Sequence, residues 1–316
     1  MDKQKVIDLI KEGRPNAKDS TIKMYTANLM KLLKMFDTDK FDFLKNIEKV
    51  EDKLKDLHYT TRRNYLNAIV VYLMTKDKES ELVKKYVELR NDLNQMYETE
   101  QATGTISDKQ KDSFVDISEV NKMISEMAEE IKTKEILKKE NITAKEKQLL
   151  MVYILFNIYT RIPLRNDLAG MLVINKREYN KLSDKQKEEN NYLVINKNKM
   201  YMVLNQYKTS AKYKELNIDI PKDLERILRQ YIKINGMGIL LKSSTGKSIT
   251  RNDLSKLLIK TSKSRMNKSI STTMLRKIYL SSKYGDMKEE LQKDNAVMGH
   301  SKEVAMNTYI KKPQEE

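Results

Sequence analysis

The chain contains no cysteine and only two histidines, His58 and His300, in 316 residues. Without cysteine there are no disulfides, no thiolate nucleophile and no cysteine-ligated zinc. Two histidines so far apart in sequence also argue against a histidine-based metal site. Long apolar runs are missing as well. The longest, Leu149 to Ile158, is interrupted by Asn157 and falls far short of the ~20 residues that a membrane helix needs. It reads as a buried helix. The opening Met1-Asp2-Lys3-Gln4-Lys5 leads into a charged amphipathic pattern, not the apolar core of a secretory signal. These absences predict a soluble, intracellular protein that uses no metal and no cofactor and does not enter a membrane.

What the chain has in excess is positive charge. Its 61 Lys+Arg exceed its 45 Asp+Glu, for a formal net charge of +16. Such an excess favours a polyanionic partner, because each neutralised phosphate releases counterions. The length suggests two domains, each with its own core.

Residues 1–100 read as consecutive helices forming one domain. Ser20 is placed as the cap of a helix with Ile22, Tyr25, Leu29, Leu32, Leu33 and Phe36 on one face. Leu44, Ile47, Val50 and Leu54 repeat that pattern. A third helix carries Tyr65, Leu66, Ile69, Val70 and Leu73, and a fourth Val83, Tyr86, Val87, Leu93 and Tyr97. The third opens with Thr60, Thr61, Arg62 and Arg63. Short hydroxyls and guanidiniums at a helix start suit phosphate contact, since the N–H groups and dipole there favour anions. Periodicity fails over residues 101–116, which are read as a linker around Gly104 and Ser107.

Residues 117–316 form the second domain. A charged helix with Val120, Met123, Ile124, Met127 and Ile131 precedes the apolar one, which is expected from about Glu146 to Tyr159. Pro163 ends that helix and Arg165-Asn166-Asp167-Leu168 is read as starting another. From Tyr192 the period becomes two: Tyr192 to Ile195, Met200 to Leu204 and Leu216 to Ile220 predict three strands of a small antiparallel sheet. Helices then resume over Leu224 to Ile234 and from Thr250 to Lys260, with Thr250 and Asp253 as a capping box. Ser271 to Tyr309 reads as short helices and turns. The predicted fold is therefore mainly α with a small antiparallel β-sheet, in two domains. Gly246-Lys247-Ser248 mimics the end of a phosphate-binding loop, but Leu241 stands where that motif needs glycine.

Cleaving a phosphodiester needs a nucleophile, cations on the non-bridging oxygens and a proton for the leaving oxygen. Arginine offers a permanently charged planar fork to the phosphate, and lysine can deliver the proton. Tyrosine becomes nucleophilic when cations lower its pKa from about 10, and the phosphotyrosine it forms conserves the bond for rejoining.

These elements, in order, resemble those of the tyrosine recombinases, or phage-integrase-type enzymes, over nearly the whole chain. Leu164-Arg165-Asn166-Asp167-Leu168 matches the family's first arginine box, with Arg161 as a close rival. Lys208, in Tyr207-Lys208-Thr209 between two expected strands, matches its lysine, with Lys212 as the alternative. Arg276 matches the second arginine, but Thr273 stands three residues before it where the family has histidine or lysine. A threonine hydroxyl donates to a phosphate oxygen but carries no charge. Met298-Gly299-His300, with Tyr309 nine residues on, matches the final box in type and spacing.

The resemblance implies that Tyr309 attacks, Arg165 and Arg276 hold the phosphate, Lys208 protonates the departing 5′ oxygen and His300 steadies the transition state. It implies a helical core-binding domain and a catalytic domain closing on double-stranded DNA, self-association into a tetrameric synapse, and no cofactor. Integration or excision of a viral or mobile genome is the family's commonest task. Three readings stay open beside it: a type IB topoisomerase or telomere resolvase using the same site, a non-cleaving DNA-binding protein on this fold, and a basic helical RNA-binding protein.

Overall fold

The computed structural model describes residues 2–103 and 108–298. The chain divides into two compact units, Met1–Thr105 and Ile106–Glu316.

The first unit is all-helical: α1 (Lys3–Gly13), α2 (Asp19–Met35), α3 (Ile47–Leu54), α4 (Tyr59–Met74) and α5 (Glu81–Thr103). Ile22, Leu29, Leu32 and Leu33 of α2 meet Leu66, Ile69 and Val70 of α4 in one core, as their helical spacing dictates. The buried Tyr86 of α5 ties in the turn before α3 by donating its hydroxyl to the Leu44 carbonyl at 2.9 Å. Ser20 is not the cap of α2. The helix starts at Asp19, with Lys18 in the cap position and no side-chain cap, and the Asp19 carboxylate in the first turn complements the dipole instead. Helix α5 runs to Thr103, into the stretch read as linker.

The second unit opens with α6 (Asp108–Lys111) and α7 (Ile117–Thr133), which presents Val120, Met123, Ile124, Met127 and Ile131 to the core. Helix α8 (Ala144–Tyr159) starts at a capping box, in which Thr143 and Glu146 satisfy each other's backbone N–H groups. It is buried from Leu149 to Tyr159 apart from Tyr153, as its largely apolar sequence requires, and the interrupting Asn157 donates its side-chain amide to the Tyr153 carbonyl.

Five strands form a sheet among the described residues: β1 (Leu172–Asn175), β2 (Tyr192–Ile195), β3 (Met200–Leu204), β4 (Leu216–Asp219) and β5 (Gly238–Ile239), in the order β4-β3-β2-β1-β5. The three expected strands pair antiparallel. The sheet is nonetheless mixed, because β1, which the sequence reading missed, pairs parallel to β2 with Leu172 opposite Tyr192. Short helices α9 (Lys176–Tyr179) and α10 (Asp184–Glu188) make the crossover between them. One sheet face places Val173, Leu193 and Met202 in the main core, while Tyr192, Val194 and Val203 pack on Tyr179 on the other.

Helix α11 (Ser210–Tyr213) lies between β3 and β4, and α12 (Lys222–Asn235), α13 (Arg251–Met266) and α14 (Thr272–Met298) complete the described chain. The Thr250–Asp253 capping box forms as predicted. Two expectations fail. Arg165 to Leu168 starts no α-helix: Asn166–Leu168 is a single 3-10 turn, and Gly170, at φ +81°, then swings the chain into β1. Among the described residues after Ser271 there is one helix of 27 residues, not several short ones. Ser271 starts it by accepting the Met274 N–H at 3.3 Å. The fold is thus mainly α with one small sheet, as the sequence pattern predicts, the sheet being mixed and not purely antiparallel.

Candidate active site

Arg165 stands at the cap position of the 3-10 turn that follows α8, and Arg276 one turn into α14. The two are neighbours. Burial, and next the Arg165 cation, press the Arg276 guanidinium below its ordinary pKa, and Asp167 and Tyr159 oppose that shift. Arg276 donates from Nε to the Pro163 carbonyl at 3.2 Å, which fixes it beside the segment that carries Arg165. Tyr159, at the end of α8, is buried and donates its hydroxyl to the Arg165 carbonyl at 2.8 Å. Burial and the Asp167 carboxylate push its phenol well above the usual range, so it is a neutral anchor.

Asp167 is the anion between these cations. Its side chain is only 8% exposed, and burial raises its pKa while Arg251, Arg165 and Arg276 pull it down. The rival Arg161 is used elsewhere: its Nε meets Asp223 at 2.7 Å and its Nη1 donates to the carbonyl and side chain of Asn157. Thr273 is exposed at the second position of α14, one turn before Arg276. There its hydroxyl lies in the first turn of a helix, whose dipole favours anions.

Lys208 lies in the connection between β3 and β4, where a lysine between two paired strands was expected, and it is exposed. The connection is longer than a tight hairpin and contains α11, which carries the exposed Lys212 with its Nζ 5.1 Å from the Tyr213 ring centre. Buried Tyr207 closes the base of the excursion by donating to the Lys214 carbonyl at 2.7 Å. Lys214 takes φ +53° there, a conformation that L side chains rarely adopt.

Two side chains that the sequence reading passed over join these pieces. Buried Asn191, just before β2, donates Nδ2 to the carbonyls of Asp167 (3.0 Å) and Gln206 (3.2 Å). Its Oδ1 accepts the N–H groups of Asn205 (2.9 Å) and Gln206 (2.7 Å). Arg251, at the first position of α13, reaches Gln206 and Asp167 from another side. The available signal was Arg251 itself, since a cation in the first turn opposes the helix dipole and calls for a local compensation.

His300 and Tyr309 lie outside the described residues. In the first unit, Thr60 to Arg63 fill the first turn of α4, but its cap is His58, whose Nδ1 accepts the Thr60 N–H at 3.4 Å and lies 2.9 Å from the Thr60 hydroxyl. Thr61 is exposed. Arg62 lines a recess with Glu51 and Asp92, and the Arg63 guanidinium stacks 4.4 Å from the Tyr97 ring centre.

Among the described residues, no group of three or more His, Cys, Asp or Glu is placed to hold a metal ion, and no helix is long and apolar enough to cross a membrane. A cavity of about 590 Å³ opens at the other end of α8 from Arg165, lined in part by Lys145, Tyr231 and Lys242. The arginine cluster is not in that cavity. Arg165 and Arg251 are exposed, Arg276 is half-buried and Asp167 is buried.

No protein-family model and no curated protein matches the chain. Among solved structures, the chain is similar over 98% of its length to 85% of the XerH site-specific recombinase bound to its difH substrate in a pre-cleavage complex, at 14% identity and a TM-score of 0.47. It is similar over 99% of its length to 94% of the XerA recombinase, at 11% identity and a TM-score of 0.35.

Proposed function

We propose that this protein is a site-specific DNA recombinase of the tyrosine type, which cleaves and rejoins strands through a 3′-phosphotyrosyl intermediate. The observation that carries the reading is that Arg165 and Arg276, from separate segments, lie close together beside Asp167, with Arg276 fixed by its bond to the Pro163 carbonyl. Two like charges held side by side repel, and a bound phosphate relieves that repulsion. The spacing of His300 and Tyr309 supplies the rest of the constellation.

In this scheme the two guanidiniums bind the non-bridging oxygens, helped by the Thr273 hydroxyl. The Tyr309 phenolic oxygen forms a bond to phosphorus and its proton passes to water. The bond from phosphorus to the 5′ oxygen breaks, and Lys208 protonates that oxygen as it leaves. His300 donates to the pentavalent phosphoryl group. A 5′-hydroxyl attacking the phosphotyrosine runs the steps in reverse and joins the new strand. The charge stabilisation comes from arginines, so the scheme calls for no metal. Thr61, Arg62, Arg63 and Lys212 contribute phosphate contacts along the duplex, and pairs of occupied sites assemble four subunits. The first unit acts as the core-binding domain and the second as the catalytic one.

The test is a nicked duplex on which a cleaved strand cannot rejoin. The parent protein accumulates an SDS-resistant covalent adduct, and Tyr309→Phe binds the same DNA without forming one. An adduct with the phenylalanine variant assigns the attack to another residue. Thr273, in place of a charged residue, favours one second reading: a DNA-binding protein on this fold that does not cleave. Salt-sensitive binding by the parent with no adduct at any time is the result that selects it.

A further inference from the structure

Three segments distant in sequence carry the proposed chemistry: the turn with Arg165, the start of α14 with Arg276, and the excursion with Lys208. Arg276 is tied to the first by its bond to Pro163. The third is exposed and lies beyond the end of β3, and two side chains tie its root to the first. Arg251 donates from Nη2 to the Gln206 carbonyl at 2.9 Å, and the same nitrogen lies 3.5 Å from Asp167 Oδ1. The backbone of Arg251 is held in turn, because Asn166 Nδ2 donates to its carbonyl at 3.1 Å. A closed set of contacts therefore runs from the Arg165 turn through Arg251 to a residue two places before Lys208.

We infer that Arg251 is a positioning residue, which locks the Arg165 turn to the root of the Lys208 excursion so that the phosphate-binding and proton-donating groups keep one register. The inference rests on the strand-cleavage reading above. Two features make the role specific. Arg251 sits at the first position of α13, where a positive charge opposes the dipole, so helix stability does not explain it. One nitrogen, Nη2, serves two partners on different segments, the Gln206 carbonyl and the buried Asp167 carboxylate. Lysine keeps the charge but carries it on a flexible stem, not on a planar guanidinium. Asn191 makes the second strut between the same two segments, Asp167 and Gln206, and the pair acts as a two-point brace. Of the charges around Asp167, Arg251 acts on it most strongly, ahead of Arg165 and Arg276.

The role predicts a defect in one step. In Arg251→Ala the affinity for the duplex is retained, while single-turnover cleavage falls by about 100-fold, the usual cost of misplacing a reacting group by ~1 Å. A substrate with sulfur as the bridging 5′ atom needs no proton from Lys208 and recovers most of that loss. Arg251→Lys lies between the two proteins on ordinary DNA. Cleavage unchanged in Arg251→Ala, or an equal loss on both substrates, overturns the inference. A purely structural role would slow both substrates together and would track a fall in melting temperature.

A second readout does not depend on activity. Amide hydrogen exchange of Asn205 and Gln206, and of the 167–171 segment, should accelerate together in Arg251→Ala while the core of α8 is unaffected. If only one of the two segments responds, the brace does not exist. If the parent itself forms no adduct, the cleavage reading fails while the exchange result still decides whether Arg251 couples the segments.

Discussion

Arg276 Nε donates to the carbonyl oxygen of Pro163 at 3.2 Å, across 113 residues of chain. The bond uses one edge of the guanidinium. Among the described residues, nothing hydrogen-bonds its terminal nitrogens, which keeps the fork available to two phosphate oxygens. Arg276→Lys preserves the charge but not this division of labour. We expect it to bind DNA and to lower the cleavage rate by about 100-fold or more, within the range seen when one transition-state donor is lost. A single-turnover time course with saturating protein checks this.

The two arginines of the first box are separable by experiment. Arg161 is held by Asp223 and Asn157, so Arg161→Ala should cost about 1 kcal/mol of stability in urea and leave adduct formation largely intact. Arg165→Ala should do the reverse, with unchanged unfolding and no detectable adduct. Opposite results would move the first arginine of the site to Arg161.

Lys208 and Lys212 are distinguished by the leaving group. Lys208→Ala should slow ordinary DNA strongly and the 5′-thio substrate little. Lys212, on α11 beside Tyr213, should behave as a backbone contact: Lys212→Ala weakens binding and reduces the salt dependence by about one phosphate. Rescue by sulfur in the Lys212 variant instead would exchange their roles.

A pH prediction follows from the start of α8. Glu146 accepts from Lys139 Nζ at 2.6 Å and from the Thr143 N–H and hydroxyl at 2.9 and 2.8 Å. The Lys139 contact first, and the Thr143 donors next, hold its carboxyl down from 4.5 to about 2 in the folded protein. A folded-state value below the unfolded one stabilises above the unfolded pKa, and the contribution fades as pH falls through the folded one. Glu146→Gln should therefore be less stable than the parent at neutral pH, and the difference should close between about pH 4.5 and 2. Thr143→Ala, which removes the cap itself, should cost about 1 kcal/mol. Urea midpoints across that pH range are the measurement.

Much of this was legible in the chain because periodicity reports burial. The faces of α2, α4, α7 and α12 could be read directly, as could β2 and β3, which are apolar runs buried on both faces of the sheet. Strand β1 could not, since Leu172 to Asn175 is four residues long and its partner in sequence lies beyond a crossover. Strand β5 is two residues and has no pattern. The long α14 was hidden by Gly285 and by a mostly polar second half, whose propensities decide little without tertiary contacts. Arg165 and Arg276 were singled out as candidates through order and spacing. Asn191 and Arg251 were not, because their work is to join segments that only the fold brings together. Nor did the pattern show the neighbours of Thr60 to Arg63: His58 caps their helix, and Tyr97 takes one face of Arg63.

The parallel pairing of β1 with β2 also governs where the chain can change length. A parallel pair cannot be closed by a tight turn, so residues 176–191 must loop out before β2 is laid down beside β1. The register of Leu172 with Tyr192 sets Asn191 at the same end of the ladder as the turn containing Asp167, and Leu172 N donates to the Asn191 carbonyl at 2.9 Å. That alignment is indifferent to how many residues the crossover contains. It is intolerant of a single residue gained or lost within β2, which would carry Asn191 about 3.3 Å along the strand and turn every side chain to the opposite face. In lineages descended from this sequence, insertions should therefore accumulate in the α9–α10 crossover, while the spacing between Asn191 and Gln206 stays fixed.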